Sequence, residues 1–256
     1  MDRSVAHPVE ADRPSERGQP SPPGSPAPAP SRIPVDRSVQ QIIQVLEEDI
    51  VLGQLHPRER LIEDDLMVRF QAKRHVVRQA LSELDRMGLV ERPPNRSVAV
   101  KDLKPIEVEE IYAMRTLLET AAANQMPLPV APGLLEQLVD VQARHDAAAT
   151  GRDVRALFRI NIEFHRLLFS QCGNAHLADT IDLFGKKAHA VRSLSITRPE
   201  QIRSAGDEHW QMIDALKAGD RPRLVSLLVA HISVAKNAYI DAYHARFPAS
   251  APSLGR

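Results

Sequence analysis

The chain has 256 residues, with 33 lysines and arginines against 33 aspartates and glutamates, which excludes a uniformly basic, histone-like binder and sends the reading of charge to individual segments. A single cysteine, Cys172, excludes a disulfide framework and any zinc finger or iron–sulfur cluster built on cysteines. No apolar run approaches the ~18 residues of a membrane span, and the N-terminus lacks the apolar stretch of a secretory signal, so the sequence reads as a soluble cytoplasmic protein with no membrane partner.

Residues 1–34 hold nine of the 20 prolines, and beyond Ala their only aliphatic residues are Met1, Val5, Val9 and Ile33. Such a segment cannot bury enough apolar surface to offset its ordering entropy, so a disordered, partly polyproline-like tail is expected. Residues 35–103 read as a first folded unit. From Ser38, the residues Val39, Ile42, Ile43, Leu46 and Ile50 recur every three or four positions, one apolar face of a helix that Gly53 closes. A second helix is predicted at about 63–70 and, after the polar break Gln71 to Lys73, a third at about 74–87, with Val77, Ala80, Leu81 and Leu84 as its buried stripe. Two β-like runs, 89–92 and 97–100, flank Pro93-Pro94-Asn95-Arg96 and predict a hairpin. From 104 to 247 the pattern is helical throughout, with helices near 105–125, 132–149, 152–171, 175–194, 198–218 and 221–245, and 248–256 reads as a flexible end. The expected fold is mainly α: an N-terminal winged helix-turn-helix followed by an all-helical bundle.

Helix, helix, tight break, helix and hairpin is the order in which a third helix enters the DNA major groove. Between Leu66 and Lys101 eight basic residues face three acidic ones, a local excess inside a neutral chain. Lys73, Arg74, His75 and Arg78 cluster at the start of the third helix, with Arg74 and Arg78 four apart on one face. A guanidinium fork suits both phosphate and the guanine edge. Arg96 sits at the hairpin tip, where a wing would reach the neighbouring groove or backbone.

In the helical part, Asn161 and His165 lie one turn apart on one face. His209 follows near the middle of one later helix and His231 in the middle of the last. Three imidazoles and an oxygen ligand suit a divalent ion such as Zn²⁺, with positions left for water or a ligand, although helical histidines are commonly structural.

The run Glu59-Arg60-Leu61-Ile62-Glu63-Asp64-Asp65-Leu66, then Lys73-Arg74-His75-Val76-Val77-Arg78-Gln79-Ala80-Leu81, then Leu84-Asp85-Arg86-Met87-Gly88-Leu89-Val90, resembles the N-terminal domain of GntR-type bacterial transcription regulators. Their recognition helix typically reads Ser-Arg-Thr-Pro-Val-Arg-Glu-Ala-Leu, and the resemblance gives Arg74 and Arg78 the family's two DNA-contacting positions. Lys73 stands where Ser is usual, which removes an N-cap worth about 1 kcal/mol. The resemblance implies an altered operator sequence with DNA binding kept. Phe164-His165-Arg166-Leu167-Leu168, Glu208-His209 followed by Ile213-Asp214-Ala215-Leu216-Lys217-Ala218-Gly219-Asp220, and His231 resemble the FCD effector domain of the FadR subgroup. That resemblance implies a metal held by His165, His209 and His231, with Asn161 where the family commonly has Asp. It also implies that Arg115, paired in sequence with Glu119, either holds an effector carboxylate or forms an intrahelical salt bridge. Arg192 is a further pocket candidate. Trp210, the only tryptophan, either lines the cavity or packs.

The leading expectation is a homodimeric, ligand-responsive regulator on a palindromic double-stranded operator. A small carboxylate effector would bind beside a divalent metal ion, Zn²⁺ first and Ni²⁺ or Mn²⁺ as alternatives, and repression is the commoner mode implied. The rival from a different class is a metal-dependent hydrolase using the same histidines, for which Glu163 or Glu208 would have to serve as base. A scaffold acting through the proline-rich tail is a third reading.

Overall fold

The computed structural model describes residues 35–93 and 97–247, and only the backbone at 35–38 and 194. The proline-rich tail, the hairpin tip with Arg96 and the C-terminal end at 248–256 lie outside these residues.

Helix α1 (Val35–Val51) buries Val39, Ile42, Ile43, Leu46 and Ile50, the stripe expected from their spacing. It ends in a turn where Gly53 takes φ of 70°, a conformation that is costly for a residue with a Cβ. Helices α2 (Glu63–Phe70) and α3 (Arg74–Arg86) follow, and Val76, Val77, Ala80, Leu81 and Leu84 close the core from α3. Lys73 makes no side-chain capping bond at the start of α3, as its ammonium group dictates.

Strands β2 (Val90–Glu91) and β3 (Val98–Val100) form the expected hairpin, with Val90 opposite Val100. A further strand, β1 (Arg60–Leu61), pairs antiparallel on the other edge of β3 and makes the sheet order β1-β3-β2. The sequence reading missed it, because two residues carry no alternation. Pairing arises from tertiary contact: Leu61, Val98 and Val100 are all buried, and β1 satisfies the outer edge of β3.

The second half comprises α4 (Pro105–Gln125), α5 (Pro132–Gly151), α6 (Val154–Phe169), α7 (Ala175–Lys187), α8 (Pro199–Ala218) and α9 (Arg221–Arg246). Four of these helices, α4, α5, α8 and α9, carry proline in the first turn, and α6, α7 and α9 are capped by Asp153, Asn174 and Asp220. α4 packs on α7 and α9, α5 on α6 and α8, and α8 on α9. The helix expected over 175–194 is interrupted. α7 stops at Lys187, and His189–Leu194 is a 3₁₀ segment. Ala188 and Val191 are both fully buried against Val108, Tyr112 and Ile232, and their three-residue spacing is the repeat of a 3₁₀ turn. Among the described residues no helix is long and apolar enough to cross a membrane.

Candidate functional site

Three helices bring His165 (α6), His209 (α8) and His231 (α9) together, with one ring nitrogen of each within 4.8 Å of the others. The nitrogens that converge can be identified from their partners. Gln142 on α5 donates through Nε2 to Asp146 Oδ1 at 2.8 Å and to Gly206 O at 3.4 Å, so its Oε1 is the acceptor for His209 Nδ1 at 2.8 Å. His209 therefore carries its proton on Nδ1, and its Nε2 lone pair is buried without a partner. In its neutral form His231 donates from Nδ1 to Glu208 Oε2 at 2.6 Å, which leaves its Nε2 as a lone pair as well. His165 Nε2 lies 3.2 Å from His231 Nε2, a contact that requires a proton on one of the two. With His165 as that donor, its own Nδ1 becomes a buried acceptor with no partner.

Burial, then the neighbouring His231, holds His165 and His209 well below the ordinary histidine pKa. They are neutral imidazoles, the form that ligates metal. The donor set fits a divalent cation: two Nε2 lone pairs are fixed inward by outer partners, and His209 Nε2 has nothing else to bind. Gln142 and Glu208 were not read as orienting groups from the sequence. Their signal is tertiary, since Glu208 adjoins His209 in the chain but serves His231 on another helix. Trp210 belongs to the same network without facing the cavity: its Nε1 donates to Asp146 Oδ2 at 2.9 Å, and its ring packs on the bundle core.

Beside the histidines lies a cavity of about 90 Å³ bordered by Arg115, His145, Asn161, Arg192, Glu208 and His231. A second, of about 280 Å³, borders His165 and shares Arg115 and Arg192. Asn161 thus shares a cavity wall with His231, one of the three converging imidazoles. Arg115 is buried and donates from Nε and Nη2 to Glu119 Oε1 at 2.9 and 2.8 Å, so the intrahelical pair exists, and Arg115 still borders both cavities. Burial is the largest influence on the Arg115 pKa and lowers it, but the charge and hydrogen bonds of Glu119 together with Tyr112 outweigh it, and the net direction is upward. Arg192 has no carboxylate partner among the described residues, and burial together with the Arg115 charge pushes its pKa down to about 10. Glu163 is exposed and ion-paired with Arg144, and Glu208 is committed to His231, so neither stands ready as a hydrolytic base.

At the other end of the chain Lys73, Arg74, His75 and Arg78 are exposed together at the start of α3. The two arginines are held by the first turn of α2. Arg74 reaches Glu63 Oε2 at 3.3 Å and Asp64 Oδ1 at 2.6 Å, and Arg78 Nε reaches Glu63 Oε2 at 2.9 Å. This acidic clasp was not anticipated. Arg69 points elsewhere, to the buried Asp49 at 2.5 Å.

The chain matches the model of bacterial regulatory proteins of the gntR family over residues 38–100 and that of the FCD domain over residues 110–234. It is 24% identical over 200 residues to the uncharacterized HTH-type transcriptional regulator YdhC of Bacillus subtilis, across 75% of this chain and 87% of that one. It is 26% identical over 203 residues to the HTH-type transcriptional repressor RspR of Escherichia coli, across 78% and 87%. Among solved structures, a putative GntR regulator from Rhodococcus sp. RHA1 superposes with a TM-score of 0.68 at 22% identity, over 81% of this chain and 99% of that one. Escherichia coli McbR/YncC superposes at 0.67 with 19% identity, over 80% and 98%. At those identities the two structures speak for the fold. The two family models cover both the winged half and the helical half, and the relatives align over 200 residues or more that span both, so the chain belongs to the gntR family of bacterial transcription regulators with an FCD domain, and it is not an enzyme.

Proposed function

We propose that the chain is a homodimeric repressor that releases its operator when a small carboxylate binds beside a divalent metal ion in the helical half. One observation carries the reading: three imidazoles converge, two with lone pairs fixed inward, and the cavities that His231 and His165 border also hold Arg192 without a carboxylate partner among the described residues. His165, His209 and His231 would hold the ion, with Asn161 contributing a neutral carbonyl oxygen. Zn²⁺ suits such a nitrogen-rich set best, ahead of Ni²⁺ and Mn²⁺. When bound, the ion supplies a Lewis-acidic anchor for a carboxylate oxygen. Arg115 and Arg192 then present guanidinium groups to the remaining negative charge. An asparagine in place of a carboxylate leaves the site more positive, which favours an anionic effector.

On the DNA side, Arg74 and Arg78 would read or clamp the operator, with Lys73 and His75 on its phosphates. Their pairs with Glu63 and Asp64 are solvent-exposed, and such pairs are worth about 0–1 kcal/mol, so DNA can replace them. Two winged halves related by a two-fold axis match a palindromic site in the cytoplasm, where the chromosome lies. The repressing direction is supported by the names of two relatives, RspR and the probable D-xylose utilization operon transcriptional repressor of Paenarthrobacter nicotinovorans.

Calorimetric titration of Zn²⁺ into chelator-treated protein tests the metal half of this reading. Wild type is expected to bind one ion per chain, and Glu208→Gln to bind it about 10–100-fold more weakly, the usual cost of losing an outer partner. Equal affinity in the two proteins, or no binding to wild type, contradicts the reading.

A further inference from the structure

The walls of the cavity and the grip on the DNA-binding half are built from the same two elements. α6 lines the cavity with Leu157, Phe158 and Asn161 and carries His165. From its first turns Arg155 and Arg159 reach the other way, to α1, where Glu48 and Asp49 are each 1% exposed. Arg155 donates to Glu48 Oε2 at 2.6 Å and to Asp49 Oδ1 at 3.3 Å, and Arg159 Nε to Glu48 Oε1 at 2.6 Å. Asp49 also accepts from Arg69 of α2 at 2.5 Å. Alternating charges therefore run from α6 through α1 into α2, whose first turn clasps Arg74 and Arg78.

The 3₁₀ segment makes a second connection. Arg192 borders both cavities. Three residues earlier, His189 Nδ1 bonds Glu47 Oε1 at 2.6 Å, and its ring meets Phe158 edge-on at 5.0 Å between centroids. Ala190 packs on the apolar core of the winged half. A cleft of about 730 Å³ opens beside these contacts, bordered by α1, α3, α6 and α7, and gives the two halves room to shift.

We infer that the acidic run Glu47-Glu48-Asp49 of α1 couples the cavity to the DNA-binding face, following α6 and the 3₁₀ segment through Arg155, Arg159 and His189. The inference rests on the cavity being the effector site. Its physical basis is an asymmetry of burial. Arg155 and Arg159 are 40% and 54% exposed and can be solvated alone, whereas Glu48 cannot lose its partners without leaving a buried charge uncompensated. When α6 or the 3₁₀ segment moves, α1 has to move with it, and packed interfaces of this kind turn small shifts into discrete rearrangements. A purely structural clasp would hold the halves together yet ignore changes at the cavity.

The test needs no effector. It uses full-length protein and an operator selected from random-sequence duplexes. Arg192→Gln alters the cavity far from the DNA and is expected to change operator affinity threefold or more. In a Glu47→Gln, Glu48→Gln background, the same substitution is expected to change it less than 1.5-fold. An undiminished change in that background, or no change in either, overturns the coupling. Should the double variant not fold, amide hydrogen exchange over residues 47–54 decides: a changed rate in Arg192→Gln supports the inference, and an unchanged rate overturns it. Failure of the effector reading would appear separately, as wild-type protein that binds no carboxylate in calorimetry.

Discussion

Arg78 shows how one residue's surroundings set its role. Its side chain is 59% exposed and, among the described residues, held only by Glu63, so it can exchange a carboxylate for DNA without disturbing the core. Arg78→Ala is expected to weaken operator binding by about 1–3 kcal/mol, about fivefold to 150-fold, with an unchanged melting temperature. Unchanged affinity at moderate salt would place the DNA elsewhere. His189 is the opposite case. It is buried, and desolvation outweighs the attraction of Glu47, so its pKa lies below the ordinary 6.5; His145 is lowered for the same reason despite Asp146. The unfolded chain takes up protons near 6.5, whereas the folded chain keeps these rings neutral to lower pH. Between those values the unfolded state binds more protons, so the stability is fully present above 6.5 and is lost as pH falls below it. Melting temperatures of metal-free protein are expected to drop between pH 7.5 and pH 5.5, and His189→Asn is expected to lose part of that drop. A flat profile would mean that these rings are solvated.

Elements were legible where their periodicity was long and their ends were marked. α1 and α3 showed their buried stripes, and Asp153, Asn174 and Asp220 stand at helix starts as capping residues do. Asp153→Ala removes a 3.0 Å bond to Ala156 N at the head of α6, and a loss of about 1 kcal/mol is expected in denaturant unfolding. No loss would show that packing alone starts this helix. β1 and the 3₁₀ segment were not legible, for one reason. Arg60-Leu61 becomes a strand only because β3 lies beside it, and residues 189–194 tighten only because Ala188 and Val191 are buried together. The histidine cluster was half legible. Spacing placed Asn161 and His165 on one face, but the bond from His231 to Glu208 joins two helices that no local pattern relates.

At the scale of the whole molecule, the chain joins an exposed basic helix end to a buried, positively biased cavity, and the ion pairs of α1 lie between them. The division into a winged half and a helical half was legible because the apolar pattern loses its β-like runs near residue 103. The connection between the halves was not, since Arg155 and Glu48 lie 107 positions apart in the chain. A ligand changes DNA binding only by its differential affinity for the two arrangements. The most direct measurement is therefore the anisotropy of a labelled, selected operator bound to Zn²⁺-loaded protein, titrated with small mono-, di- and tricarboxylic acids and with their uncharged amides. The account expects at least one acid to raise the operator dissociation constant tenfold or more while its amide does nothing. Acids that bind the protein without moving the operator affinity, or amides that release DNA as well as acids do, would contradict it.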